Sequence, residues 1–237
     1  VGVHRGNLLV GGGANFPSGA PWDEPSGSKV WHSEIYTLES PSAVWQSAGE
    51  LPVRIAYGVY VSTRKGVVVL GGEEDGTALA SIWLLQIGED QAVRIQRLAD
   101  LPEPMAYHAG AALDDRIYIA FSKRTATEGP FDQKRFWSVS IEELLGTRWD
   151  EVEAAPPSPP NLWREHPTWP GAPRHKAVAS VQNMGNRSFF YLISGENPSF
   201  DTEGSPKLSQ YEYLFDGYRF DTKENRWTPI ANLPAVE

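Results

Sequence analysis

The chain has 237 residues, with 22 Gly, 19 Pro, nine each of Trp, Tyr and Phe, and a formal net charge of −9. Such acidity excludes broad neutralisation of phosphates, so neither a nucleic-acid nor an anionic-membrane partner is expected. The absence of Cys excludes disulfides, thiolate metal sites and cysteine nucleophiles, and no apolar run approaches the ~20 residues of a membrane span.

In chain order, the first apolar runs are NLLVGG at 7–12 and EIYTLE at 34–39, followed by Trp45 and the stop Leu51-Pro52. Next come IAYGVYVS at 55–62, VVVLGG at 67–72 and SIWLLQ at 81–86, closed by Ile95 and Leu101-Pro102. The third set is MAYHAGAAL at 105–113, RIYIAF at 116–121 and FWSVSI at 136–141, closed by Trp149 and Ala155-Pro156. The last is HKAVASVQ at 175–182, FFYLISG at 189–195 and GYRFDT at 217–222, closed by Trp227 and Leu233-Pro234. Each run is short and rich in β-branched and aromatic residues, as strands are. The offset from anchor to stop is six residues in all four sets.

Four short strands per ~50-residue unit is the kelch pattern of a β-propeller blade. The fold expected is all-β, a kelch-type propeller with four blades visible at 1–52, 53–102, 103–156 and 174–234. The first blade is expected to lack its opening strand, because Val1 lies directly before the turn His4-Arg5-Gly6-Asn7. An incomplete first blade and the stop at Glu237 suggest a piece of a larger ring. If the chain is complete, its open blade edges offer a route to self-association. The double Gly at 11–12 and 71–72 predicts close approach of neighbouring backbones.

In an up-and-down blade, alternate connections fall on opposite faces. The long segments 13–30, 123–135, 157–173 and 196–213 are expected together on one face, as loops of a binding mouth. The innermost strands begin at that face, which brings Arg54, Tyr57, Tyr107, His108, Arg174 and His175 toward a ligand on the axis.

The stretches GGGANFPSG, RIAYG and VVVLGGE resemble late repeats of the bacterial N-acetylneuraminate epimerases, while WPGAPR and DGYRFDTKENRW resemble their early repeats. Late-type repeats preceding early-type ones are similar to the cyclically permuted mutarotases. The resemblance implies a six-bladed ring, a periplasmic or otherwise extracytoplasmic location, and interconversion of the α and β anomers of an acidic nine-carbon sugar. The Glu and Arg usually proposed as the family's catalytic pair fall outside this chain, so no pair is transferred. Nothing in this chain speaks to location, since no signal peptide is present and the opening at Val1 leaves room for a leader already removed.

Ring opening needs a base at the anomeric hydroxyl and an acid at the ring oxygen, for which His108, His175, Glu73 and Glu196 are the candidates. Arg174, with Arg54 second, is the expected partner of the sugar carboxylate, since a guanidinium binds it bidentately. Tyr57, Tyr107, Asn15 of GGGANFP and Trp22 of the first long segment complete the expected substrate-binding set. Trp22, Trp31 and His32 either cover an apolar sugar face or pin their loop. No cofactor is expected, and the five His show no metal-ligand spacing. A kelch module that binds a protein or glycan without chemistry remains the alternative.

Overall fold

The computed structural model describes residues 1–20, 23, 27–124, 131–147, 159–200 and 206–234. Those residues form four four-stranded antiparallel sheets and three two-stranded hairpins, the architecture of β-propeller blades. They fall into two compact units, one built on Val1–Ala106 and the other on Tyr107–Glu143 with Pro160–Glu237.

In the first unit, β1 (Gly2–His4), β2 (Asn7–Gly11), β5 (Glu34–Leu38) and β6 (Gln46–Glu50) form one sheet in chain order. Contrary to the sequence expectation, this sheet has its opening strand. Three residues ahead of the turn suffice, pairing Gly2 with Leu9, Val3 with Leu8 and His4 with Asn7. The hairpin β3 (Ala14–Asn15) with β4 (Val30–Trp31) sits between the second and third strands. The second sheet is β7 (Val59–Thr63), β8 (Gly66–Leu70), β11 (Ile82–Ile87) and β12 (Val93–Leu98), and β9 (Glu73–Glu74) pairs with β10 (Thr77–Ala78) at the same place in the order.

Period-two alternation decides what lies between these sheets. Leu9 and Ile35 of one, with Val67, Val69, Trp83 and Leu85 of the other, form a buried cluster joined by Leu51 and Ile55. The expected close approach at the glycine pairs is present. Gly13 N–H donates to the Ile55 carbonyl at 2.7 Å, and a Cβ on Gly12, whose φ is +61°, would lie 2.2 Å from that oxygen. Gly72 (φ +105°) is as constrained, with its would-be Cβ 2.7 Å from the Ala56 carbonyl.

In the second unit, β13 (Ala109–Leu113), β14 (Arg116–Arg124), β15 (Phe131–Ser140) and β16 (Trp163–Glu165) form one sheet. The short helix α1 (Ile141–Leu145) follows β15. The fourth strand thus lies beyond the 103–156 span read from sequence. Trp163 stands six residues before Trp169-Pro170, so the same punctuation occurs twice, and the copy that pairs with β15 is the later one. The earlier copy, Trp149 to Pro156, lies outside the described residues. Trp169 takes the buried place that Leu51 and Leu101 hold in the first unit, at 1% exposure.

The last sheet is β17 (Val178–Met184), β18 (Arg187–Ile193), β21 (Gly217–Asp221) and β22 (Arg226–Ile230), with β19 (Glu196–Phe200) and β20 (Pro206–Tyr213) paired between its second and third strands. Phe136, Phe190, Phe220 and Trp227 meet at ring-centroid separations of 4.8–6.1 Å and anchor this unit's core. Two expectations about the long segments change. The described parts of 13–30, 123–135 and 196–213 are antiparallel hairpins, not irregular loops. Segment 157–173 is interrupted by β16, so only its last part leads from a fourth strand toward the next sheet.

Candidate functional site

In the second and fourth sheets, the chain leaving the second strand turns back to bridge the segment just ahead of the first strand. In the second sheet Val59 pairs with Leu70, and three residues beyond Leu70 lies Glu73. In the fourth sheet Val178 pairs with Ile193, and three residues beyond lies Glu196. Both carboxylates belong to residues in isolated antiparallel bridges, Ala56 with Glu73 and His175 with Glu196. Reciprocal N–H···O bonds of 2.8 and 3.0 Å hold the first bridge, and two of 3.0 Å hold the second. Glu73 and Glu196 are thus one structural position used twice, each buried to 7–8% exposure.

The residue after each bridge is left-handed: Tyr57 at φ +59° and Lys176 at φ +54°, with Tyr107 at φ +58° two residues before β13. A non-glycine residue in this region costs ~1–3 kcal/mol and tends to mark places where a side chain must be aimed.

In the first unit, Lys29 Nζ lies 3.1 Å from Glu73 Oε1, 4.3 Å from the Tyr57 ring centroid and 4.6 Å from that of Trp31. Lys29 is the last residue of the connection between β3 and β4, directly ahead of Val30. Partial burial works against the ammonium, but hydrogen bonds to Tyr57 and Glu73 outweigh it and raise its pKa. Lys29 is therefore a fixed positive charge between two aromatic faces.

In the second unit, the Tyr107, His175 and Glu196 expected from sequence do come together. His175 Nε2 is 3.4 Å from Glu196 Oε1, and its ring meets Tyr107 edge-on at 5.6 Å. Lys176 pairs with Glu196 and lies over the Tyr107 ring. Burial drives the His175 pKa down to about 4, against the pull of Glu196 and with help from Lys176. The imidazole is neutral at neutral pH. Between pH 6.5 and 4 the unfolded chain binds this proton and the folded chain does not. Stability attributable to His175 is complete above pH 6.5 and is lost as pH falls toward 4, by ~3 kcal/mol. Urea unfolding at pH 7 and pH 4 is expected to show a smaller loss for His175→Gln than for the parent chain, and equal losses would count against it.

Other expected site residues are engaged differently. Arg174, assigned to a substrate carboxylate, is 3% exposed and forms a bidentate pair with Asp216 at 2.8 and 2.9 Å. It also donates to the carbonyls of Ser194 and Ala172 and lies over the Tyr218 ring. Arg54 is turned onto Glu74 and Asp75 of the adjoining hairpin, at 2.9 and 2.6 Å. Both guanidiniums hold protein carboxylates in this structure. Asn15 is 2.9 Å from His32, itself 3.4 Å from Glu34. His108 is buried directly ahead of β13, and Trp22 lies outside the described residues.

Lys29, Lys176 and Asp216 were missed by sequence reasoning. Lys176 was within reach, since it occupies in the fourth sheet the position that Tyr57 holds in the second. Lys29 and Asp216 carry no local signal, because their partners are 44 and 42 residues away.

The family model for N-acetylneuraminate epimerase matches residues 1–95. The resemblance to the N-acetylneuraminate epimerases is real. The epimerase of Haemophilus influenzae (strain PittEE) is 43% identical over 89 residues, 34% of this chain and 23% of that protein. The epimerase of Vibrio vulnificus (strain YJ016) is 39% identical over 98 residues, 38% of this chain and 25% of that protein. The chain therefore spans about a quarter of the length of these epimerases. The solved structure of YjhT, a β-propeller, covers 97% of this chain at a TM-score of 0.57, with 67% of its own length matched. At 14% identity that likeness is one of fold. The segment matching the epimerases contains Lys29, Trp31, Tyr57 and Glu73.

Proposed function

We propose that this chain carries an anomer-exchange site for N-acetylneuraminate or a related acidic sugar, centred on Tyr57, Lys29 and Glu73. The observation that carries the reading is the cluster of a buried carboxylate, a half-buried ammonium and an exposed phenol lying within the segment that matches the epimerases. Lys29 supplies the permanent positive charge that a sugar carboxylate requires, in the place first expected for Arg174. Trp31 and Tyr57 offer ring faces to the apolar side of a pyranose. Glu73 takes the proton of the anomeric hydroxyl while the Tyr57 hydroxyl delivers one to the ring oxygen, and the C–O ring bond breaks as the ketone forms. Closing the ring reverses the two transfers.

Exchange between the two anomers of N-acetylneuraminate, followed by proton NMR with and without the protein, tests the reading. Acceleration that is lost in Glu73→Gln supports it. Binding of the sugar without acceleration favours the non-catalytic module, and neither binding nor acceleration overturns the assignment.

A further inference from the structure

The opposite strand ends of the first unit hold a second concavity, of about 330 Å³. It is formed by the β1–β2 turn at His4-Arg5, the β7–β8 turn at Arg64-Lys65, and the β11–β12 turn beginning at Gly88. Antiparallel hairpins alternate ends, so these turns lie away from Tyr57 and Glu73. In a chain of net charge −9, four cations line this concavity with a single carboxylate, Glu89. Glu89 does little to neutralise them, being 94% exposed and 3.9 Å from Arg5. Asp90, beside the concavity, is committed to Arg94 at 2.9 Å. Arg64 and Lys65 are exposed, and among the described residues neither has an ion-pair partner.

His4 adds a buried donor. Its ring is 8% exposed and lines the concavity, and its Nδ1 accepts the Ile87 N–H at 3.0 Å. That bond fixes the neutral tautomer with the proton on Nε2. Arg5 (φ +51°) and Gly6 (φ +80°) form the tight left-handed turn that holds His4 and Arg5 side by side. Convergent cations around a fixed N–H donor are the elements of an oxyanion cradle.

We propose that this concavity binds a small oxyanion of the phosphate class. Burial first, and Arg5 second, lower the His4 pKa, so the ring reports on occupancy: a bound anion reverses the Arg5 contribution and raises it. The test is NMR titration of the His4 ring protons in the full chain with inorganic phosphate at pH 7, with a sugar phosphate as a parallel arm. A saturable shift of His4, with an upward move of its titration midpoint, is expected. The surface double variant Arg64→Ala/Lys65→Ala is expected to bind at least about tenfold more weakly. Tighter binding of the sugar phosphate identifies a phosphorylated sugar as the source, and equal binding identifies the free ion. No saturable shift at His4, or the same affinity in the double variant, overturns the proposal. None of these residues belongs to the Tyr57–Lys29–Glu73 cluster, so the result is independent of anomer exchange.

Discussion

Tyr57→Phe is expected to slow N-acetylneuraminate anomer exchange by about 10²–10⁴-fold, the usual contribution of a positioned general acid. The ring survives this change, so its contact with Lys29 remains. The left-handed backbone at φ +59° is equally strained for either residue, which makes a folding artefact implausible on energetic grounds. KM is therefore expected to stay within about twofold while kcat falls. Lys29→Met should do the reverse, raising KM through loss of the charge that holds the sugar carboxylate. It also leaves Glu73 buried without its counter-ion, so its folding must be checked beside its kinetics. Exchange spectroscopy at substrate concentrations below and above KM separates the two effects. A Tyr57→Phe chain that exchanges anomers at the parent rate would remove the phenol from the mechanism.

What was legible in the sequence was whatever is local and repeated. Short apolar runs such as VVVLGG and FFYLISG, rich in β-branched and aromatic residues and closed by Gly, announce buried strands, and β8, buried at all five positions, and β18 are where they were expected. The anchor-to-stop offset of six residues marked the outer strands in three sheets. It misled in the third because Trp149 and Trp163 both satisfy it, and only pairing with Val139 distinguishes them. Tyr57 and His175 were singled out because strand topology places them just ahead of the first strands of their sheets, whereas Glu73 was singled out by the resemblance of its LGGE stretch to the epimerases. The protein partners of two guanidiniums were illegible for a different reason. An arginine at such a position advertises a carboxylate partner but not its owner. For Arg54 the owner is the hairpin 20 residues on, and for Arg174 it is Asp216. Chain distance erases that information, since any exposed-looking Asp in a turn has the same local signature.

The pair of Arg174 with Asp216 carries the larger expected effect on stability. Asp216→Asn should destabilise the fold by ~3–5 kcal/mol, because it leaves the guanidinium of Arg174 buried without a counter-charge. The Arg174 side chain is 1% exposed, and the pair is bidentate. Asparagine keeps the shape and one acceptor but removes the charge, so the loss is chiefly electrostatic. Partial burial alone would raise the pKa of Asp216, but hydrogen bonds from Arg174 and Tyr218 outweigh it and hold the carboxyl below its ordinary value. A carboxyl depressed in the folded state contributes stability that is complete above its unfolded pKa of ~3.9 and is lost as pH falls through the folded value. Acid unfolding of the parent chain should therefore steepen below about pH 4, and the Asp216→Asn chain should lack that component. Urea midpoints at pH 7 and along an acid series measure both. Because Arg174 also ties the carbonyls of Ala172 and Ser194, loosening it should release the segment that presents His175 and Lys176 to Glu196. The His175 pKa would then climb from about 4 toward its ordinary value, a shift that intact packing around a merely local pair would not produce.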